Sequence, residues 1–511
     1  MEENKILNFV VDEIGNKHYL EAEIGSGGQG AVWKTKDPNI IVKMRVNPVT
    51  GEPIVNEKAY EKYKNEIIDE VRILGIPDHI HIAKPEYMLE KPFCGYVMRF
   101  LTEMIPIKQY IKDFKNPHEN PAKFYCETGG LRHRLELLTN LAEIYTKLYY
   151  RSAVYADLSP ENIFVSKDLN FAEVWLIDAD NMRYRYDVNK IIFTPGYGAP
   201  EVVKGEINTL ESDVYSFAVL AHEILTLNSP FCGEMITDCE AGWDDDETDN
   251  ADLAEKGELP WIFDPEDDSN RCYTGFPHEM VFTKDLYELF RKTFSYEGRH
   301  NPKSRPKIYE WYKALKLASG LTAKCSYCGN TFFVRKVDSD CPFCNHGLKR
   351  EKLLLVRIKD VYPIEEIIEA ENKLTEEFNN SGNYSVEKIS AESFKNLGEV
   401  NVCRKFFDTA DGVYYLYNYD TSEILPSEKT EKTIEIKIEK GTFSIRNLSD
   451  KVITLTGLKT SYGELGPEDI KKFDNNINNL TLSMPLFKPD EEDEEDIYKS
   501  FTTRHIRFNI I

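Results

Sequence analysis

The sequence predicts an α+β chain with a small β-rich lobe, a larger helical lobe, a metal knuckle and a second β-rich region. Three observations predict it. Short β-like runs between polar turns fill the chain up to about residue 101. Apolar residues then recur at helical spacing. Two Cys-x-x-Cys pairs follow, beyond which alternating segments return.

Composition bounds the possibilities. At 511 residues the chain is long enough for about three domains, each with its own core. Apolar residues at 41% and aromatics at 12% indicate globular folding. A net charge of −24 excludes a general nucleic-acid or anionic-membrane binder, since both need basic surface. No apolar run reaches the roughly 18 residues that span a bilayer, and Met1–Lys5 lacks the basic-then-apolar pattern of a signal peptide. Ten Cys, four of them in two tight pairs, suggest metal in a reducing compartment. A cytoplasmic protein is expected.

The elements follow in order. Strands are predicted at His18–Ile24, Ala31–Thr35, Ile40–Arg45 and Gly95–Leu101, interrupted by one helix at about Glu57–Leu74. Leu135, Leu138, Leu141, Tyr145 and Leu148 share one helix face. Further helices fall around Ser212–Leu227, Lys284–Phe294 and Pro306–Leu317. The first lobe is therefore placed at about 1–101 and the second at about 102–320, with the site at their junction. The acidic stretch Glu234–Asp268 reads as a solvated loop, or as a face selecting basic substrate segments. A four-Cys element takes 321–349. The β-rich remainder, 350–511, holds one helix (Pro363–Phe378), strands at Thr433–Ile438, Thr442–Arg446 and Ile506–Ile510, and an acidic loop at Asp490–Asp496. Its role is partner docking or plain packing.

The chemistry concentrates in Tyr155-Ala156-Asp157-Leu158-Ser159-Pro160-Glu161-Asn162 and in Ile177-Asp178-Ala179-Asp180. An Asp five residues before an Asn, with a second Asp past a short apolar strand, is a phosphoryl-transfer layout. Gly25-Ser26-Gly27-Gly28-Gln29-Gly30-Ala31-Val32 matches G-x-G-x-x-G-x-V. Alone such a stretch is weak, but strand-like flanks favour a hairpin over phosphates rather than a dinucleotide fingerprint. Lys43, thirteen residues after Gly30, is placed to neutralise phosphate charge. Glu70 is the candidate to hold Lys43 in an ion pair, with Glu66 one turn earlier as runner-up. The bland reading of either Glu is an exposed helix charge.

With these motifs in order from about residue 18 to about residue 316, the chain resembles the eukaryotic-type Ser/Thr protein kinase family. Thr194-Pro195-Gly196-Tyr197-Gly198-Ala199-Pro200-Glu201 matches T-P-x-Y-x-A-P-E, Ser212–Phe217 resembles S-D-V-W-S-x, and Arg305-Pro306 matches a late R-P. The resemblance implies a bilobal kinase fold and transfer of the γ-phosphoryl group of Mg·ATP to Ser or Thr hydroxyls of protein substrates. It makes Asp157 the catalytic base, supported by Thr194, with Lys43 and Glu70 positioning phosphates. Asn162 and Asp178 become Mg²⁺ ligands. Gly25, Ser26, Gly27, Gly28, Gln29, Gly30 and Val32 cover the nucleotide, Met98 faces the adenine pocket, and Glu201–Arg305 is a structural salt bridge. D-L-S-P-E-N together with I-D-A-D resembles a bacterial branch often associated with a phosphatase and a von Willebrand A-type protein in stress responses.

The sequence also departs from the family. Ala156 replaces the Arg that reads an activation-loop phosphate. Ser159 replaces a Lys near the transferred group, a loss on the order of 10²–10³ in rate unless another cation substitutes. Ala179 and Asp180 replace the Phe and Gly that let the metal-binding loop flip and pack. The rival reading is a pseudokinase acting as a nucleotide-sensing scaffold. Against it stand Lys43, Glu70, Asp157, Asn162 and Asp178, all present.

Cys325-x-x-Cys328 and Cys341-x-x-Cys344, twelve residues apart, read as a closed tetrahedral Zn²⁺ site in a zinc ribbon. Gly329 relieves the tight turn after the first pair. The other six Cys (94, 126, 232, 239, 272 and 403) read as ordinary core or loop residues.

Overall fold

The computed structural model describes residues 8–27, 30–47, 49–65, 70–112, 114, 119–185, 191–236, 248–335, 340–347, 353–361, 372, 399–408, 412–421, 431–474, 477–486 and 502–510. They form two compact units, Met1–Lys316 and Leu317–Ile511. The four-Cys element thus belongs to the same unit as the β-rich remainder. The predicted helix at Pro363–Phe378 lies, apart from residue 372, outside the described residues, as do the loop 490–496 and the acidic core 237–247.

The first unit begins with an antiparallel sheet in the order β1-β2-β3-β4-β6-β5. Its strands are β1 (Phe9–Val11), β2 (Lys17–Gly27), β3 (Gly30–Thr35), β4 (Ile40–Met44), β5 (Tyr87–Met88) and β6 (Gly95–Arg99). Gly27 pairs with Gly30, so β2 and β3 meet in a tight hairpin at the glycine-rich stretch. Gly30 has φ +147, and a Cβ there would stand 2.4 Å from the Met44 carbonyl oxygen. A side chain is excluded at that position by β4 itself. The predicted helix 57–74 appears as Glu57–Tyr63 and Glu70–Ile73, with 66–69 outside the described residues. Asn56 starts the first piece by accepting the Lys58 and Ala59 N–H groups. Tyr60 and Tyr63 pack from it against Ile41, Tyr96 and Met98 on the inner face of the sheet.

The helical lobe is organised by two long helices, Gly130–Tyr150 and Leu210–Thr226. All five residues expected on one face of the first are buried, which is why that stripe is apolar. Thr209 and Ser212 form a reciprocal capping box that fixes where the second helix begins. That start matters, because it sets Asp213 in the first turn. β7 (Met104–Pro106) precedes the first of these helices, and between the two in sequence lie β8 (Ala153–Val154), β9 (Ile163–Ser166), β10 (Val174–Leu176) and β11 (Arg183–Tyr184). They pair as a β10-β9-β7 sheet and a β11-β8 ribbon, and the octet Tyr155–Asn162 spans the gap from β8 to β9.

In the second unit, β12 (Thr322–Lys324) and β13 (Thr331–Phe333) make a hairpin whose connection carries the first Cys pair, with the second pair following β13. The rest is a β-sandwich. One sheet runs β15-β14-β23-β22-β19-β20 and the other β16-β17-β18-β21. The strands are β14 (Leu353–Val361), β15 (Glu399–Asp408), β16 (Gly412–Tyr417), β17 (Lys432–Glu439), β18 (Thr442–Asn447), β19 (Ile453–Thr456), β20 (Ser461–Leu465), β21 (Ile470–Asp474), β22 (Leu480–Pro485) and β23 (Thr503–Ile510). Alternate residues such as Val356, Ile436, Ile445, Leu482 and Ile506 meet in one aliphatic core between the sheets.

Candidate active site

Each functional side chain is placed by its element. Lys43 stands on β4 directly opposite Tyr96 on β6, and Ile41 opposite Met98, so the four are set by strand register. Below the sheet lies a cleft of about 500 Å³, lined by Gly25, Ser26 and Gly30 of the hairpin, by Lys43 and Met98, and by Asp178. Val32 lines it as well. Gly27 sits in the hairpin. Gly28 and Gln29 lie outside the described residues.

Asp178 follows β10 in a left-handed conformation (φ 58) and caps a short 3₁₀ turn, Ala179–Asn181. That turn carries a result absent from the sequence reading. Lys43 Nζ donates to Asp178 Oδ1 at 2.7 Å and to Asp180 Oδ2 at 2.8 Å, and the Tyr96 hydroxyl donates to Asp180 Oδ1 at 2.8 Å. The lysine was expected to pair with Glu70. Glu70 opens the short helix Glu70–Ile73, but its side chain, like all of Glu66, lies outside the described residues. Burial alone would push the Lys43 ammonium down, but the Asp180 and Asp178 carboxylates hold it above the ordinary lysine value. Burial pushes the Asp178 carboxyl up, with Lys43 pulling the other way.

Asp157 is held by neutral groups. The Thr194 hydroxyl donates to Asp157 Oδ1 at 2.9 Å, and Asn181 Nδ2 to Oδ2 at 3.3 Å. Asn162 Nδ2 donates to the Asp157 carbonyl at 2.9 Å, folding the octet back on itself. The octet is then anchored from behind. Asp213 accepts the Tyr155 and Ala156 N–H groups at 2.8 and 3.0 Å, while the Tyr155 hydroxyl donates to the Ile177 carbonyl. Burial pushes the Asp213 carboxyl up to about 7, against the pull of those two N–H groups.

Asn208 is a further residue that sequence reasoning missed. Its amide donates to the carbonyls of Ala156 (3.2 Å) and Ile192 (2.6 Å) and accepts from Ile192 N (3.0 Å) and Arg183 Nη2 (3.0 Å). One side chain thus ties the octet to the segment that leads into Thr194. Ala156, where the family has Arg, adopts φ 72, and its N–H and C=O are both claimed by these two side chains. Nothing in the spacing of Asn208 or Asp180 marked them. The only usable signal was a carboxylate at 180 where the family has glycine.

Glu201 and Arg305 form the expected buried pair, bidentate at 2.7 Å on each arm. Ser159 is buried. Cys232, read as an ordinary residue, is disulfide-bonded. Its expectation is corrected.

The four knuckle Cys converge, with their Sγ atoms all within 4.8 Å of one another. Cys325–Cys344 and Cys328–Cys341 are each 3.7 Å apart. Four thiolates bound tetrahedrally at about 2.3 Å stand roughly 3.8 Å apart, so the donor set fits a zinc ion. Burial pushes the Cys341 thiol up and Cys328 up to about 11, so a cation is what would deprotonate them. Gly329 has φ 78, the left-handed turn expected after the first pair.

A model described as the protein kinase domain matches residues 19–302. Similar curated proteins include the serine/threonine-protein kinase PknD of Protochlamydia amoebophila, 23% identical over 41% of this chain and 23% of its own length. The serine/threonine-protein kinase pkn2 of Myxococcus xanthus is 24% identical over 42% of this chain and 24% of its own. The serine/threonine-protein kinase PknA of Mycobacterium tuberculosis is 23% identical over 43% and 49%. The matches therefore span from about a quarter to a half of these relatives. With the hairpin, the lysine, the two aspartates and the Glu201–Arg305 pair in one unit, the chain belongs to the protein kinase domain family.

Proposed function

We propose that the protein is a Ser/Thr protein kinase, transferring the γ-phosphoryl group of Mg·ATP to hydroxyls of protein substrates. One observation carries the reading: Asp157 is oriented by Thr194 at 2.9 Å, in the same unit that holds Lys43 and Asp178 on one cleft. An Asp whose carboxylate is fixed from both oxygens can accept the proton of an incoming hydroxyl as the phosphoryl group moves. Thr194 lies in the loop between Asp178 and Glu201, so it links that loop's position to the base. Asn162 and Asp178 are the residues that would hold Mg²⁺, whose charge offsets that of the phosphates. Lys43 neutralises phosphate charge from β4, Gly25–Gly30 close over it, and Met98 meets the adenine. The cleft at Met98 supports that last assignment.

The test is incubation of the full chain with labelled ATP, comparing wild type with Asp157→Asn and Asp178→Ala. Transfer by wild type alone is expected; equal labelling in all three removes the activity. Cys325, Cys328, Cys341 and Cys344 are proposed as a structural zinc site. Elemental analysis of protein purified without chelators should give one zinc per chain, and its absence would refute the site.

The resemblance to the bacterial branch supports a cytoplasmic signalling role beside a phosphatase and a von Willebrand A-type protein. Among the described residues no helix is long and apolar enough to cross a membrane. Co-purification from cells tests the partners, and recovering neither would end that part of the reading.

A further inference from the structure

The geometry points to Asp180, with Tyr96, as the positioning residue that holds the ATP-anchoring lysine from the metal-binding loop itself. The inference rests on the kinase reading and adds the device that sets Lys43. Asp180 is 5% exposed, so its carboxylate sits where an unpaired charge would be costly. Both its oxygens are used: Oδ2 takes the Lys43 ammonium at 2.8 Å and Oδ1 takes the Tyr96 hydroxyl at 2.8 Å. Tyr96 is held in turn, lying opposite Lys43 in the strand pair with its ring stacked on Tyr63 at 6.4 Å and 11°. The Asp180 carboxylate thus joins the Lys43 ammonium on β4 and the Tyr96 phenol on β6 to a turn only two residues past Asp178.

The division of labour follows from charge. Lys43 faces two carboxylates, Asp178 and Asp180. Asp178 lines the cleft and is the proposed cation ligand, whereas Asp180 does not line it. A cation claiming Asp178 would leave Asp180 as the carboxylate that keeps the ammonium aimed at the cleft. Glycine at this position could do none of this, and the Tyr96 hydroxyl would lose its acceptor.

The experiment uses the full chain with Asp180→Asn, Tyr96→Phe, Lys43→Met and the double variant Asp180→Asn/Lys43→Met. Removing a charge-assisted hydrogen bond should lower kcat/KM by about 10- to 100-fold in Asp180→Asn, and by less in Tyr96→Phe. In the Lys43→Met background, Asp180→Asn should cost no more than about two-fold further, because its effect runs through that lysine. A second readout needs no turnover: amide hydrogen exchange over residues 178–182 of the nucleotide-free protein should quicken in Asp180→Asn. Should Asp180→Asn fail to fold, Tyr96→Phe carries the same test, its loss vanishing in the Lys43→Met background. The inference is overturned if Asp180→Asn keeps wild-type turnover and exchange, or if its loss adds in full to that of Lys43→Met. Quickened exchange in a protein that transfers no phosphate would remove the activity and keep the anchor. Active wild type with an inert Asp180 would do the reverse.

Discussion

The kinase unit and the β-sandwich bury different things. The kinase unit encloses charge: Lys43 between two carboxylates, Asp213 beneath the octet, Arg305 against Glu201. The sandwich encloses hydrocarbon, a cluster running from Leu354 through Ile436 and Leu482 to Phe508. Its buried Arg504–Asp360 pair sits past that cluster, on opposed positions of β14 and β23. The difference teaches where specificity is required. A buried ion must have its partner, because losing one partner leaves an uncompensated charge. A buried aliphatic needs only volume. One unit is therefore brittle to changes of chemistry, the other to changes of size.

The comparison can be broken or sharpened in order of expected effect. Asp157→Asn should lower kcat by about 10²–10⁴ and leave thermal unfolding of both units unmoved, since the change keeps the shape of the side chain. Unfolding shifts as large as the kinetic loss would reassign Asp157 to structure. Glu201→Ala strands Arg305 in the interior and should cost about 3–5 kcal/mol, lowering the kinase unit's unfolding temperature by on the order of 10 °C. Calorimetry resolving two transitions should show the sandwich unaffected. In the opposite direction, Ile436→Ala opens a void in the aliphatic core and should cost about 2–5 kcal/mol there. Phosphoryl transfer by the same variant should stay at the wild-type rate, and a matching loss of turnover would show that the units are not independent.

The smallest effect is a pH slope. Burial pushes the Glu223 carboxyl up to about 7 against the pull of the Tyr197 hydroxyl, from an ordinary value of 4.5. Between those values the folded state holds a proton that the unfolded chain releases. Stability should therefore fall as pH rises from about 4.5 to about 7, then level. Glu223→Gln should flatten that segment of the melting-temperature profile by a few degrees. An unchanged slope would mean that Glu223 does not titrate there.

How far each unit could be read from sequence follows the same division. Kinase motifs are legible because their polar residues recur at fixed spacings, so Asp157, Asn162, Asp178, Lys43 and the Glu201–Arg305 pair were all nameable. What escaped notice was contact between distant segments. Lys43 reaches Asp180 across 137 positions, and Asn208 reaches Ala156 across 52, distances that no periodicity encodes. In the sandwich, β17 and β18 were expected from alternation. β14 was missed because its first four residues, Leu353–Val356, are buried on both faces and read as one apolar run.

Ala156 has one more consequence. A non-glycine residue at φ 72 is strained, and the strain persists only where the surroundings over-determine it. Here Asp213 and Asn208 grip the peptide from opposite sides, so the bend of the octet is written by residues 52 and 57 positions away rather than by the side chain at 156. The path of the chain at 156 is therefore independent of the side chain it carries, and Asp157 keeps its place with no arginine before it.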